Sequence, residues 1–202
     1  MPMRIAILAK APQAGRCNTR LIPRLGAGGA ARLQAQLLRR AARNAAASGQ
    51  PVTLWVTPDL RHPSFLALRR AGLRLLRQPA GDLGRRMLWA ARGGATVLLG
   101  TDAPALGAAR IRALAEATAP AALHPAPDGG FVALRLPRAQ PRLFAAVDWG
   151  SPRVLRQLRR NARRVPGPLQ WREAVPDLDT PADFRALRRA GVLGPLCLWR
   201  VD

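Results

Sequence analysis

Apolar positions along this chain fall into short unbroken runs separated by longer helical stripes, and the two patterns alternate. Ala95-Thr96-Val97-Leu98-Leu99 is such a run, preceded by Gly93-Gly94 and followed by Gly100, and it predicts a buried central strand. Arg4–Ala9, Val52–Val56, Leu73–Leu76 and Phe131–Leu136 read as further strands, with Ala121–His124 extended. Between Ala30 and Ser48, Leu33, Leu37, Ala41 and Ala45 make one stripe while Arg32, Arg39 and Arg43 turn elsewhere, so this segment predicts a long helix that Gly49 stops. Shorter helices are expected over Pro63–Ala71, Leu83–Arg92 and Ala108–Thr118. Ser151 to about Arg163 reads as a helix with Pro152 at its first position, Leu169–Val175 as a strand, and Thr180 as the cap of a helix running to Ala190. The last dozen residues carry no pattern.

Strand and helix alternation through the first half predicts a mostly parallel sheet with helices on both faces, the three-layer α/β/α class; the second half is more mixed. With 202 residues, 49% of them hydrophobic, the chain suits one domain spanning 1–202, and no linker or repeat divides it. No apolar run approaches the roughly 18 residues of a membrane span. Cys17 and Cys197 stand far apart without metal-ligand spacing, which fits a reducing cytoplasm.

A formal charge of +22 raises nucleic acid as a partner. Thirty-two of the 33 basic residues are arginines scattered over helix faces, without aromatic interleaving, so a generally solvated basic surface is the preferred reading and no specific nucleic acid is expected. The single lysine, Lys10, ends the first strand and opens the loop Ala11–Arg20, which also carries Gly15, Arg16, Thr19 and Arg20. Cations and free backbone N–H groups at the carboxyl edge of a sheet suit phosphates. Asp102 closes the central strand at the same edge, where it would hold a divalent cation or a substrate hydroxyl, or else cap the next helix. Asp128-Gly129-Gly130 is either an acceptor-binding loop with Asp128 as general base or a plain turn. Neither His62 nor His124 has a Ser or Cys partner in sequence, so no hydrolase triad is read.

Six motifs in order resemble one family, the small bacterial GT-A-like glycosyltransferases related to nucleotidyltransferases and often associated with arsenosugar biosynthesis. The motif K-x-P-x-x-G-x-x-K-T-R-L is matched by Lys10, Pro12, Gly15, Thr19, Arg20 and Leu21, and Q-x-x-G-D-L-G-x-R-M by Gln78, Gly81, Asp82, Leu83, Gly84, Arg86 and Met87. G-x-D-x-P is Gly100, Asp102 and Pro104; D-G-G-Y is Asp128 to Phe131; W-G-[ST]-P is Trp149 to Pro152; D-x-D-T-P-x-D is Asp177, Asp179, Thr180, Pro181 and Asp183. The resemblance covers nearly the whole chain.

It implies the nucleotide-diphospho-sugar transferase (GT-A-like) fold and a cytoplasmic, metal-dependent glycosyltransferase. The donor would be a nucleotide-sugar, the acceptor a small molecule, and the cofactor Mg²⁺ or Mn²⁺. Nucleotidyl transfer from a nucleoside triphosphate to a small phosphorylated acceptor is the alternative. On this resemblance Asp102 and Asp179 are metal ligands, although Asp177 to Thr180 would equally cap the helix that follows. Lys10 and Asp128 act in catalysis, and Lys10, Gly15, Arg16, Thr19, Arg20, Gln78, Gly81, Asp82 and Arg86 bind the nucleotide and its phosphates. Gly129, Gly130 and Trp149 face the acceptor, with Trp149 equally suited to the core. The chain departs from the family pattern at Asn18 in place of the second lysine, at Phe131 in place of tyrosine, and at His124, Pro127 and Arg135. Loss of the Asn18 cation favours a diphosphate over a triphosphate donor.

Overall fold

The computed structural model describes residues 3–194. Cys197 lies outside them. Seven strands form one sheet: β1 (Arg4–Lys10), β2 (Val52–Thr57), β3 (Arg74–Arg77), β4 (Thr96–Leu99), β5 (Ala121–Pro125), β6 (Phe131–Leu136) and β7 (Leu169–Trp171), in the order β3-β2-β1-β4-β6-β5-β7. The first four pair in parallel, β6 runs antiparallel to both β4 and β5, and β7 returns parallel to β5. All four residues of β4 are buried, as its unbroken apolar pattern predicts.

Alternation along the strands sorts the core into two layers. Ile5, Ile7, Leu54, Val56, Val97 and Leu99 point to the face covered by α1 (Ile22–Ala46), α2 (Pro63–Arg70) and α4 (Ala108–Ala115). Ala6, Leu98, Leu123 and Leu134 point to the other, covered by α3 (Leu83–Ala91), the single turn α5 (Pro141–Phe144) and α6 (Val154–Ala162). Helix α7 (Pro181–Arg189) lies over α1, with Phe184 and Leu187 against Leu33 and Leu37. This is the three-layer, mostly parallel architecture expected from the sequence.

Several boundaries differ, each for an identifiable contact or backbone conformation. Helix α1 begins at Ile22, about two turns earlier than expected, and is broken at Gly26 (φ 67, ψ 164), a conformation that an L side chain would strain. Its buried stripe takes in Leu38 and Ala42, while Ala41 is only partly covered. Helix α6 starts at Val154, not at Ser151, because Ser151 to Arg153 form a turn in which the Ser151 hydroxyl donates to the Asp148 carbonyl and accepts from the Arg153 N–H. Strand β7 stops at Trp171, but the chain stays beside β5: Arg172 donates to the Leu123 carbonyl and Val175 to that of Pro125, across an irregularity in β5 at His124 and Pro125. Helix α4 ends at Ala115, whose carbonyl accepts from Arg135. No helix among the described residues is long and apolar enough to cross a membrane.

Candidate active site

Four segments converge at the carboxyl edge of β1 and β4. The first is the loop after β1. Lys10 is exposed at its start, Gly15 turns at φ 77, and Asn18 sits in the left-handed region at φ 45, which asparagine tolerates better than most residues. Asn18 also donates to the Ala30 carbonyl across 3.5 Å, so the residue that replaces the family's lysine ties the loop to α1. Beneath the loop the Cys17 thiol is buried, which raises its pKa, while the Lys10 ammonium pulls the other way.

The second segment follows β4. A Cβ on Gly100 would fall 2.6 Å from Oδ1 of Asp102, so only glycine leaves room for the carboxylate to fold back over the strand end. Thr101, between them, is buried and accepts from Nε2 of Gln34 at 3.0 Å. The third segment is the extended run after β7, where the Leu178 N–H donates to the Asp102 carbonyl across 2.8 Å. That bond lays Asp177 and Asp179 alongside Asp102. Asp128 arrives from the turn before β6, held by the Gly130 N–H at 2.8 Å from Oδ1.

The outcome is a concentration of negative charge in a chain of +22. Asp128, Asp177 and Asp179 each offer an oxygen such that all three lie within 4.8 Å of one another. Burial, then repulsion from Asp179 and Asp128, pushes the Asp102 carboxyl up to about 6. Burial, Asp128 and Asp102 push Asp177 up to about 7. Asp179 is raised by burial too, although Arg20, 3.3 Å away, works against the shift. Partly buried carboxylates that repel one another call for a counter-ion, and hard oxygen donors are the set that Mg²⁺ or Mn²⁺ takes.

These segments line a cleft of about 620 Å³. Of the residues singled out in the sequence, Lys10, Arg16, Thr19, Arg20, Asp102, Asp128, Gly130 and Asp179 border it. Gly15 shapes the loop. Gly129 (φ 91) shapes the turn, so close to the turn before α6 that a Cβ would stand 2.3 Å from the Pro152 carbonyl oxygen. Trp149 does not border the cleft; half-buried, it packs edge-on to Phe131 and tilted on Phe144. Gly84 has no side chain because that ring occupies the space, with Nε1 only 2.4 Å from where a Cβ would be.

Gln78, Gly81, Asp82 and Arg86 stand apart from the cleft and serve each other. The Gln78 amide donates to the carbonyls of Ala9 and Trp55, joining the ends of β1 and β2. Arg86 donates to the Gly81 carbonyl and to Oε1 of Gln78, and Asp82 caps α3 by accepting from the Arg85 N–H. The other departures from the family pattern are also absorbed: Arg135 donates to the carbonyls of Ala115, Ala119 and Pro120, and His124 is buried against the Glu173 carbonyl. Asp177 and Gln34 also line the cleft without being singled out as site residues by the sequence pattern. Asp177 stood in a motif whose neighbour Asp179 was preferred. Gln34 is the polar exception on the buried side of α1, a signal visible in sequence as a glutamine beside Leu33 and Leu37.

Solved structures with this fold include a candidate nucleotide-diphospho-sugar transferase from Desulfovibrio desulfuricans G20, with a TM-score of 0.85 and 22% identity over 100% of this chain and 93% of that one. A nucleotidyl transferase from Methanothermobacter thermautotroptrophicus has a TM-score of 0.62 at 15% identity, covering 94% and 97%. The inositol-1-phosphate CTP transferase of T. maritima has 0.55 at 12%, covering 96% and 98%. The chain therefore has the nucleotide-diphospho-sugar transferase fold. No curated protein matches it in sequence. A family described as "Uncharacterized protein conserved in bacteria (DUF2064)" matches residues 31–151.

Proposed function

The chain belongs to the DUF2064 family, and on that footing we propose that it is a metal-dependent glycosyltransferase, moving a sugar from a nucleoside-diphosphate donor to a small acceptor. One observation carries the reading: a single cleft gathers Lys10, Arg16 and Arg20 together with the carboxylates of Asp102, Asp128, Asp177 and Asp179, Arg20 being paired with Asp179 across 3.3 Å. Cations and carboxylates in one cleft suit a diphosphate accompanied by a divalent counter-ion.

In this reading Asp102, Asp177 and Asp179 would hold Mg²⁺ or Mn²⁺, which when bound would supply charge stabilisation to the diphosphate. Lys10, Arg16 and Arg20 take the remaining phosphate charge, and the Thr19 hydroxyl donates to a phosphate oxygen. The acceptor oxygen forms a bond to the anomeric carbon of the sugar as the bond from that carbon to the diphosphate breaks. The electron pair leaves on the diphosphate oxygen. The acceptor proton passes to Asp128, which is exposed and has one oxygen occupied by the Gly130 N–H, leaving the other to receive it.

The fold neighbours include nucleotidyltransferases, so the decisive experiment separates the two reactions. Nucleotide-sugars and nucleoside triphosphates are screened by thermal shift with and without Mn²⁺, and products of the hits are then identified. Release of a nucleoside diphosphate from a nucleotide-sugar is the expected result. Pyrophosphate release from a triphosphate would replace this reading with nucleotidyl transfer.

A further inference from the structure

A second cavity, of about 460 Å³, abuts the cleft. Arg20, Asp128, Asp177 and Asp179 border both, so they form a wall common to the two. Apart from that wall the linings differ in kind. The cleft has Lys10, Arg16 and the end of β4, whereas the second cavity has Ala186 and Leu187 of α7, its cap Ala190, then Val192, with Pro127 and Pro176. A transfer reaction needs two substrates that approach one reaction centre from different directions, and a shared wall carrying the reactive carboxylates meets that need. We infer that the second cavity is the acceptor chamber, and that it selects a neutral, hydroxyl-bearing small molecule with one apolar flank. This rests on the transferase reading above.

Charge decides the class. Asp183 joins the three shared aspartates around this chamber, and the one cation among its described lining residues, Arg20, is already paired with Asp179. A phosphorylated or carboxylated acceptor would meet like charge here, at a cost in a partly buried site. Shape decides the rest. Ala186 and Ala190 are small and exposed, so α7 presents an apolar shelf beside the acids. An acceptor seated on that shelf turns its hydroxyl toward Asp128. A freely polar sugar leaves the shelf uncovered.

The test uses the full chain and three probes read by saturation-transfer NMR: phenyl β-glucoside, glucose, and glucose 6-phosphate. Phenyl β-glucoside is expected to bind at least tenfold more tightly than either of the others. Ala186→Trp, which fills the chamber from an exposed helix position, should abolish that binding while leaving Mn²⁺-dependent binding of UDP, GDP, CDP or ADP, whichever the wild type takes, within twofold. A smaller filler, Ala190→Leu, should weaken probe binding in the same direction. Preference for glucose 6-phosphate, or phenyl β-glucoside binding that both variants leave intact, overturns the chamber. Failure of every nucleoside diphosphate to bind overturns the donor reading instead, and the probe series still decides the chamber.

Discussion

The N–H of Leu178 donates to the carbonyl of Asp102 across 2.8 Å, although 76 residues separate them in sequence. Leu178 is fully buried against Leu21, Leu33, Leu37 and Phe184, while its two neighbours, Asp177 and Asp179, face the cleft. One apolar side chain thus anchors a charged run that would otherwise repel itself away from Asp102. Leu178→Ala is expected to cost about 2–5 kcal/mol of folding stability, the usual range for emptying a leucine site. Urea denaturation measures it. A change under about 0.5 kcal/mol, the size of an ordinary surface substitution, would show that the run is held by other means.

Asp102→Asn separates binding from folding. The substitution keeps size and hydrogen bonding but removes an anion that burial and neighbouring carboxylates already disfavour. The apo protein should therefore gain stability at pH 8, while Mn²⁺-dependent nucleotide affinity falls by tenfold or more, about 1.4 kcal/mol. Calorimetric titration and thermal unfolding of the same samples check both signs. Unchanged nucleotide affinity removes Asp102 from the metal set.

The pH dependence follows from Asp177. Its folded carboxyl lies near 7 against an ordinary value of 3.8, so the folded state holds the proton more tightly than the unfolded one. Wild-type stability contributed by this group is complete below about pH 4 and is lost as pH rises toward 7. Asp177→Asn does not titrate. Its stability advantage over wild type should be absent near pH 4, grow through pH 5 and 6, and level off above 7; saturating Mn²⁺ should shrink it by stabilising the wild type. An advantage independent of pH contradicts the raised carboxyl.

The basic surface is expected to bind nucleic acid only weakly. Arg4, Arg39, Arg40, Arg86, Arg112 and Arg135 donate to backbone carbonyls, so part of the cationic excess is employed in holding helix ends and loops. Association with duplex or single strands should show a steep salt slope and vanish by about 150 mM. Submicromolar, sequence-selective binding at that salt, measured by anisotropy, would replace the enzyme reading with a binding module.

Periodicity was enough for the sheet and its helices because the core is sorted by simple alternation: Ile5 and Ile7 face one layer, Ala6 the other. Boundaries slipped where non-local backbone contacts decide them. Nothing near Ser151 in sequence announces that the Leu155 N–H will be taken by the Gly129 carbonyl, which delays α6 to Val154. Site residues were legible where an apolar run ended on a charge, as at Lys10 and Asp102. Gln78 and Arg86 show the limit of such reading, since a polar residue in a motif can equally be tying strand ends together, and which it does depends on partners such as the Ala9 and Trp55 carbonyls that lie far off in the chain.

The approach of Gly129 to Pro152 bears on how this site changes over time or by design. The turn that carries Asp128 and the turn that opens α6 meet main chain to main chain: a Cβ at 129 would press on the Pro152 carbonyl, and the Gly129 carbonyl accepts from Leu155. Backbone against backbone has no rotamer with which to yield. The two turns therefore behave as one interlocking part, and a graft that brings a new D-G-G loop from a relative must bring its W-G-S-P partner too, or the transplanted carboxylate will arrive out of place.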